Sequence, residues 1–360
     1  MARAIYEVIV KDPDAGTLWE VIPKSYSFID RLNKEPTADF SFSFEELKLG
    51  ATANDTTVAN MFTAALREIY VNRTKNGTTT KIFYGVITDF VVTPGGKGER
   101  TVSIKAMGFF GLFKKRLVGI GTETVYSATD AGDIAWDLID DSQNSDTPYS
   151  DWGITQGATP ATKNRDRTYF FDNVYESIVK LSSDNLADGF DFDIDNSKQF
   201  NVYYPTKGQA RPTVVFDERT MSGWRFVKSL YSDMANIVYA IGEGFNESIN
   251  YETRTASTAL RTPFGTLEEK LEARNVTEAT TLQDKGDKRL DDASAPNEEV
   301  QGVQHYDDES AVSFDDYNVG DTVIVNLPDF EIDNESFRVR ERRFVMQSSE
   351  SIGLCTLVLE

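Results

Sequence analysis

The sequence predicts a mainly β protein with α+β parts: two small antiparallel β-barrels, the second discontinuous, plus an α/β module and a small helical insertion. Three observations lead there. One pattern occurs twice: residues 81–106 read KIFYGVITDFVV, a turn-rich TPGGKGE and RTVSIKA, and residues 336–359 read SFRVRERRFVM, a polar QSSESIG and LCTLVL. Each copy is a long strand, a loop and a second strand. Each sets two phenylalanines seven apart, Phe83 and Phe90 or Phe337 and Phe344, with Val91 or Val345 after the second. Short runs alternating apolar and polar side chains fill much of the rest, the period of a strand with one buried face. The longer helical spacings fall within 117–212 and 246–301.

The first barrel is read over residues 1–116. IYEVIV, SYSFIDRL and ADFSFSFEEL alternate, with breaks at Pro13, Pro23 and Pro36. A short helix is expected around Val58 to Leu66. REIYVNRT and TTTKIFYGVI then flank Asn76-Gly77, a hairpin signal because both turn positions take positive φ. Strands at this spacing fit a small antiparallel barrel.

The α/β module covers residues 117–212. A helix is expected after Thr129 with Ile134, Leu138 and Ile139 buried, followed by an exposed polar loop over 140–166. A second helix is expected from Asn173, where Asn173 and Glu176 form a capping-box-like pair and Val174, Ile178 and Leu181 mark one face. Strands GFDFDI and QFNVYYP follow, joined by a turn at residues 195–198. The second barrel is read over 213–245, including the apolar strand NIVYAI, and over 302–360. The insertion at 246–301 is read as helical: Thr266 and Glu269 cap a helix carrying Leu267 and Leu271, and a second helix holds Leu282 and Leu290. The acidic run from Glu298 to Asp307-Asp308 is read as a loop.

A chain of 360 residues has room for two to four small domains. No run approaches the ~18–20 apolar residues of a membrane span, and the N-terminus lacks the layout of a secretory signal. The net charge of −21 argues against a phosphate-gripping protein, which needs clustered Lys and Arg. The single basic cluster, Lys114-Lys115-Arg116, reads as a solvated edge. With Cys355 as the sole cysteine, an internal disulfide and a cysteine zinc site are both excluded; it reads as core packing. Six Asn-x-Ser/Thr sites, at Asn54, Asn72, Asn76, Asn246, Asn275 and Asn334, carry no weight without a signal peptide.

No segment supplies catalytic, metal or cofactor residues. The sole histidine, His305, rules out a two-histidine metal site and reads as structural or surface. Asp191, Asp193 and Asp195 have the spacing that opens a calcium loop, but Asn196 and Val202 stand where that loop needs Gly and Glu. The interleaved Phe190, Phe192 and Ile194 read instead as the apolar face of a strand. PGGKGE, Gly119-Ile-Gly121 and Gly242-Glu-Gly244 miss the spacing of phosphate or dinucleotide loops and read as turns.

The order of these elements resembles the hub proteins of phage tails, the baseplate-hub and tail-tip family shared with related contractile injection systems. The segments that carry the resemblance are KIFYGVITDF with VSIKAMGFFGLFKKR, NVYESIVKLSSDNLADGFDFDI, NIVYAIGEG, and YNVGDTVIVNL before FRVRERRF. The resemblance implies two related barrels with smaller α/β domains between and beside them. It implies a non-enzymatic homotrimer whose six barrels make a pseudo-sixfold ring. Such a ring joins the tail tube or a distal tail protein to a spike or tip protein, passes DNA through an acidic lumen, and sits in the virion after synthesis in the host cytoplasm. Because the sequence stops at Glu360, a cell-wall enzyme or receptor binder is expected on a separate protein. Two other classes fit the residues: a cell-wall-degrading tail enzyme acting through paired carboxylates, and a β-rich carbohydrate-binding or adhesion module. The latter needs an aromatic platform, for which Trp19, Trp136, Trp152 and Trp224 are scattered.

Overall fold

The computed structural model describes residues 4–50, 55–63, 66–145, 151–183, 189–229, 231–244, 248–273, 276, 278–307, 312–347 and 353–360. Asp308, residues 348–352 of the second loop, and Asn54, Asn246 and Asn275 lie outside them. The chain is mainly β with α/β parts.

The N-terminal part consists of β1 (Ile5–Lys11), β2 (Leu18–Val21), β3 (Ser25–Arg31), β4 (Thr37–Ser43), α1 (Phe44–Gly50), α2 (Asp55–Thr63), β5 (Glu68–Lys75), β6 (Thr78–Pro94) and β7 (Arg100–Met107). Its strands lie in the order β3-β4-β7-β6-β5-β1-β2, all neighbours antiparallel. Asn76 and Gly77 turn the β5–β6 hairpin with φ of 51° and 80°, as the dipeptide predicts. The end of the run read as ADFSFSFEEL is helical instead. Glu45 and Glu46 fall in the first turn of α1, where acids meet the positive end of the helix dipole.

The α/β module follows: β8 (Leu117–Val118), β9 (Thr124–Asp130), α3 (Ala131–Asn144), β10 (Thr155–Gln156), β11 (Asn164–Tyr169), β12 (Asp172–Asn173), α4 (Val174–Ser182), β13 (Asp191–Ile194) and β14 (Gln199–Tyr203). Both helices start where the sequence places them. Asp130 accepts from the Gly132 N–H at 2.8 Å, and Asn173 accepts from the Glu176 N–H at 3.1 Å, each satisfying an orphan donor. Ile134, Leu138, Val174 and Ile178 are fully buried in a core with Phe192 and Phe200.

The remainder is β15 (Ala210–Asp217), β16 (Arg225–Ser229), β17 (Ile237–Ile241), β18 (Tyr251–Thr255), α5 (Thr258–Arg261), β19 (Glu268–Glu272), α6 (Ala279–Ala293), β20 (Asn297–Tyr306), β21 (Thr322–Leu327), β22 (Ile332–Gln347) and β23 (Leu354–Leu359). Three expectations fail here. Ile237–Ile241, read as a strand of the second barrel, pairs with β18 and β19 in a separate three-stranded sheet covered by α6. The insertion is therefore α/β rather than helical. Residues 268–272 alternate exposed and half-buried and pair in parallel with β17, so the expected helix at Thr266 is a strand. The acidic stretch from Glu298 is also a strand: Val300 and Val303 enter the core, and the acids Glu298 and Glu299 lie in register with Lys228 and Val227 of β16.

The remaining strands run β16-β20-β23-β22-β21-β15. This matches the N-terminal order β3-β4-β7-β6-β5-β2 with β1 taken out. The senses also match. β2 is antiparallel to β1, and β1 to β5, so β2 runs parallel to β5, just as β15 runs parallel to β21. The long middle strands carry the closest correspondence. β6 pairs with β5 along its first half (Val71 opposite Phe83) and with β7 along its second (Phe90 opposite Ile104). β22 pairs with β21 along its first half (Val323 opposite Phe337) and with β23 along its second (Phe344 opposite Cys355). Each has a β-bulge at the change of partner, between Ile87 and Asp89 and between Val339 and Glu341. The phenylalanine spacing thus marks two copies of one six-stranded plan.

The copies share strands. The second half of β22 also pairs with β3 of the first copy, Phe344 opposite Phe28, so one continuous sheet crosses both. Phe344 belongs to the first copy's core, stacked on Phe28 at 5.3 Å, whereas Phe337 and Val339 belong to the second copy's core. Neither copy closes into a barrel by strand pairing among the described residues.

Candidate functional site

Side chains rather than backbone bonds bridge the first copy's open seam. Ile69, Val71 and Arg73 fall on one face of β5, and all are buried. Arg73 reaches across to Asp307, just beyond β20: Nε donates to Oδ2 at 3.0 Å and Nη2 to Oδ1 at 3.1 Å. Tyr6 Oη donates to Asp307 Oδ2 at 2.5 Å, and Asp307 Oδ1 accepts from Ser313 Oγ and the Phe314 N–H, each at 3.0 Å. Arg73 also pairs with Asp315. Burial alone would raise the Asp307 carboxyl; the hydrogen bonds from Tyr6, Phe314 and Arg73, with the Arg73 charge, hold it below the usual range. Phe314 enters the first copy's core beneath the Arg342 guanidinium, 3.9 Å from the ring centre.

A second junction joins the module to both copies. Asp191 on β13 accepts from Asn33 Nδ2 at 2.8 Å, from the Lys207 N–H at 2.7 Å and from Arg338 on β22. Beside it opens a cleft of about 640 Å³, lined by Lys34, Lys81, Asp193, Lys207, Arg211 and Arg342 among others. Most of these charges are answered within the chain: Lys207 with Asp193 at 2.6 Å, Arg211 with Asp321 at 2.8 Å, Arg342 with Asp30 at 3.7 Å. The arrangement locks three parts of the chain together.

The other residues singled out in the sequence have local roles. Asp193 and Asp195 do not converge with Asp191: Asp193 binds Lys207 and Asn201, and Asp195 accepts from the Ser197 N–H at 2.7 Å to close its turn. Among the described residues, no three acidic, histidine or cysteine groups are placed to hold a metal ion, and no helix is long and apolar enough to cross a membrane. His305 is buried and shares a 2.6 Å hydrogen bond with Tyr317 Oη. Burial pushes its imidazole down to about 4. Cys355 is fully buried, and burial pushes its thiol up. In the basic cluster, Lys114 pairs with Glu35, and Arg116 donates to the Ser142 carbonyl at 2.7 Å. Each tryptophan has its own partner: Trp19 lies under Arg67, Trp136 on Phe200, Trp152 against Phe113 and Trp224 against Phe330.

Among the strand edges left open in the described residues, which include the outer edges of β2 and β15, two are related by the repeat. One is the second half of β6 on the side away from β7, where β5 has already ended. There Val91 is 53% and Val92 38% exposed. The other is the outer edge of β16, one end of the strand order.

A scan against protein-family models finds no match, and neither does a comparison with curated sequences. Solved structures do match. The 43 kDa tail protein of prophage MuSo2 from Shewanella oneidensis superposes with a TM-score of 0.66 at 12% identity, covering 98% of this chain and 97% of that one. The fold is that of phage tail proteins. A tail protein from Neisseria meningitidis agrees at TM-score 0.61 and 13% identity, over 99% of this chain and 96% of its own. A chain of the Francisella PdpA–VgrG complex matches 99% of this chain at TM-score 0.60 and 9% identity, with this chain spanning 52% of its length. The hub-like fold expected from the order of elements is therefore present.

Proposed function

We propose that this chain is a non-enzymatic hub at the distal end of a phage-type tail. Three copies form a ring that joins the tube or a distal tail protein to a spike or tip protein. The observation that carries this reading is the repeated strand plan inside one chain. A threefold assembly of such chains presents six similar faces, so a threefold tip can seat on a sixfold tube. The Shewanella and Neisseria tail proteins share the fold over nearly their whole length, and a chain of a VgrG complex shares it too, which supports a spike as one neighbour. The −21 charge suits a lumen through which DNA passes without adhering.

The reading is tested by solution mass from light scattering, alone and mixed with a tail-tube protein. A ring of about 121 kDa, three times the 40.3 kDa chain, is expected. A chain that remains at 40.3 kDa at every concentration and in the mixture would overturn it.

A further inference from the structure

The two copies differ in what covers the second half of their long strands. On β22 that edge is filled by β3 of the first copy, with Val345 opposite Ser27 and a salt bridge from Arg31 to Glu341 at 2.7 Å. On β6 the same edge, from Thr88 to Pro94, has no strand against it among the described residues. In the repeated strand order the counterpart of β3 is β16, whose outer edge is also open. Within one chain these two edges are seven strands apart in the sheet and do not pair among the described residues.

Resting on the hub reading above, we infer that residues 222–225 of a second copy of this chain, the segment that leads into β16, add antiparallel to the free edge of β6, as β3 adds to β22. The contact is head-to-tail, and repeating it closes a ring in which within-chain and between-chain seams alternate. The register follows from the repeat. Phe90 corresponds to Phe344 and Ile104 to Cys355, so Lys105 corresponds to Thr356. Their partners Asp39 and Gln304 then correspond, as do Ser27 and Ser222 beyond them. Val91 should therefore face Ser222 of the neighbouring copy.

Surface chemistry agrees. An open edge bearing exposed β-branched residues is a template for pairing, and Val91 and Val92 sit on one without Pro or Lys until Pro94. The strand Thr88–Pro94 carries Asp89 and no base, while residues 222–225 include Arg225 and no acid. Phe330, 45% exposed, packs at 5.4 Å from Trp224 and extends the apolar surface beside β16.

The test is oxidation of the double variant Val91→Cys, Ser222→Cys, with each single variant as control. The native thiol Cys355 is buried and leaves the background silent. Covalent species of about 81 and 121 kDa on non-reducing gels from the double variant only, two and three times 40.3 kDa, support the pairing. An assembly of about 121 kDa by light scattering whose double variant stays unlinked overturns the edge assignment and leaves the hub reading standing. A chain that is monomeric throughout overturns both. Should the double variant misfold, hydrogen exchange on the unaltered chain decides. Slower exchange of the amides from Thr88 to Thr93 in the assembly than in dilute monomer supports the inference; equal rates overturn it.

Discussion

Arg73 and Asp307, 234 positions apart in sequence, meet as a two-pronged pair, each with only 1% of its side chain exposed. The pair fastens β5 of the first copy to the end of β20 in the second, across the gap where the sheet does not close. Arg73→Met leaves the Asp307 carboxylate buried without its cation, a change that costs about 3–5 kcal/mol. Chemical denaturation should show that loss for the single variant, and a smaller loss for Arg73→Met with Asp307→Leu than the two singles summed. Additive losses would mean the two side chains act independently.

His305 makes stability depend on pH. Burial disfavours its imidazolium, so the unfolded chain takes up this proton near 6.5 and the folded chain only near 4. Between those values the unfolded state holds more protons, and stability falls as pH falls. The contribution is complete above 6.5, and about 3 kcal/mol is lost on descending to pH 4, at ~1.4 kcal/mol per unit. His305→Gln keeps a hydrogen-bonding group for Tyr317 and removes the titration. Its denaturation midpoint should be flatter across that window than the unaltered chain's; matching slopes would refute the assignment.

Cys355 should be inert in the folded chain. It is 0% exposed, and burial holds it as the thiol. A thiol reagent at neutral pH should label it only as fast as the chain unfolds, so labelling in denaturant should be complete while native labelling is negligible. Rapid native labelling would show that the seam between β22 and β23 opens locally.

Gly85 sits where β6 passes from one partner to the other. A Cβ there would lie 2.2 Å from the Met107 carbonyl oxygen, in the backbone of β7. Gly85→Ala must push two paired strands apart, and it should destabilise the chain by ~1–3 kcal/mol. Gly77→Ala, in an open turn at φ of 80°, is strained without any contact and should cost less, about 1 kcal/mol. Thermal melts of the two variants give the comparison.

Period and capping were legible wherever an element is decided locally. The helices α3 and α4, the Asn76-Gly77 hairpin and the paired phenylalanines all carry their own signals. Failures came where distant partners decide. Residues 268–272 read as a capped helix, yet the open edge of β17 takes them as a strand. NIVYAI announces a buried strand without saying which sheet receives it. Arg73 carries a readable signal: it continues the apolar face of Ile69 and Val71, so a charge there demands a buried partner. Nothing near Asp307 in sequence names it as that partner. The open edges were equally hidden, because an edge is defined by what fails to pair with it.

The path of β22 has a consequence for how the chain is made. Phe344, Met346 and Cys355 complete the core begun by Val8 and Phe28. A ribosome must therefore deliver more than 300 residues before the first strands can reach their final packing. Until then β3 carries an uncovered flank, the same kind of flank that pairs strands elsewhere in the sheet. The nascent chain is thus at its stickiest before its last strand emerges, and the late strand acts as an internal guard that ends this exposure.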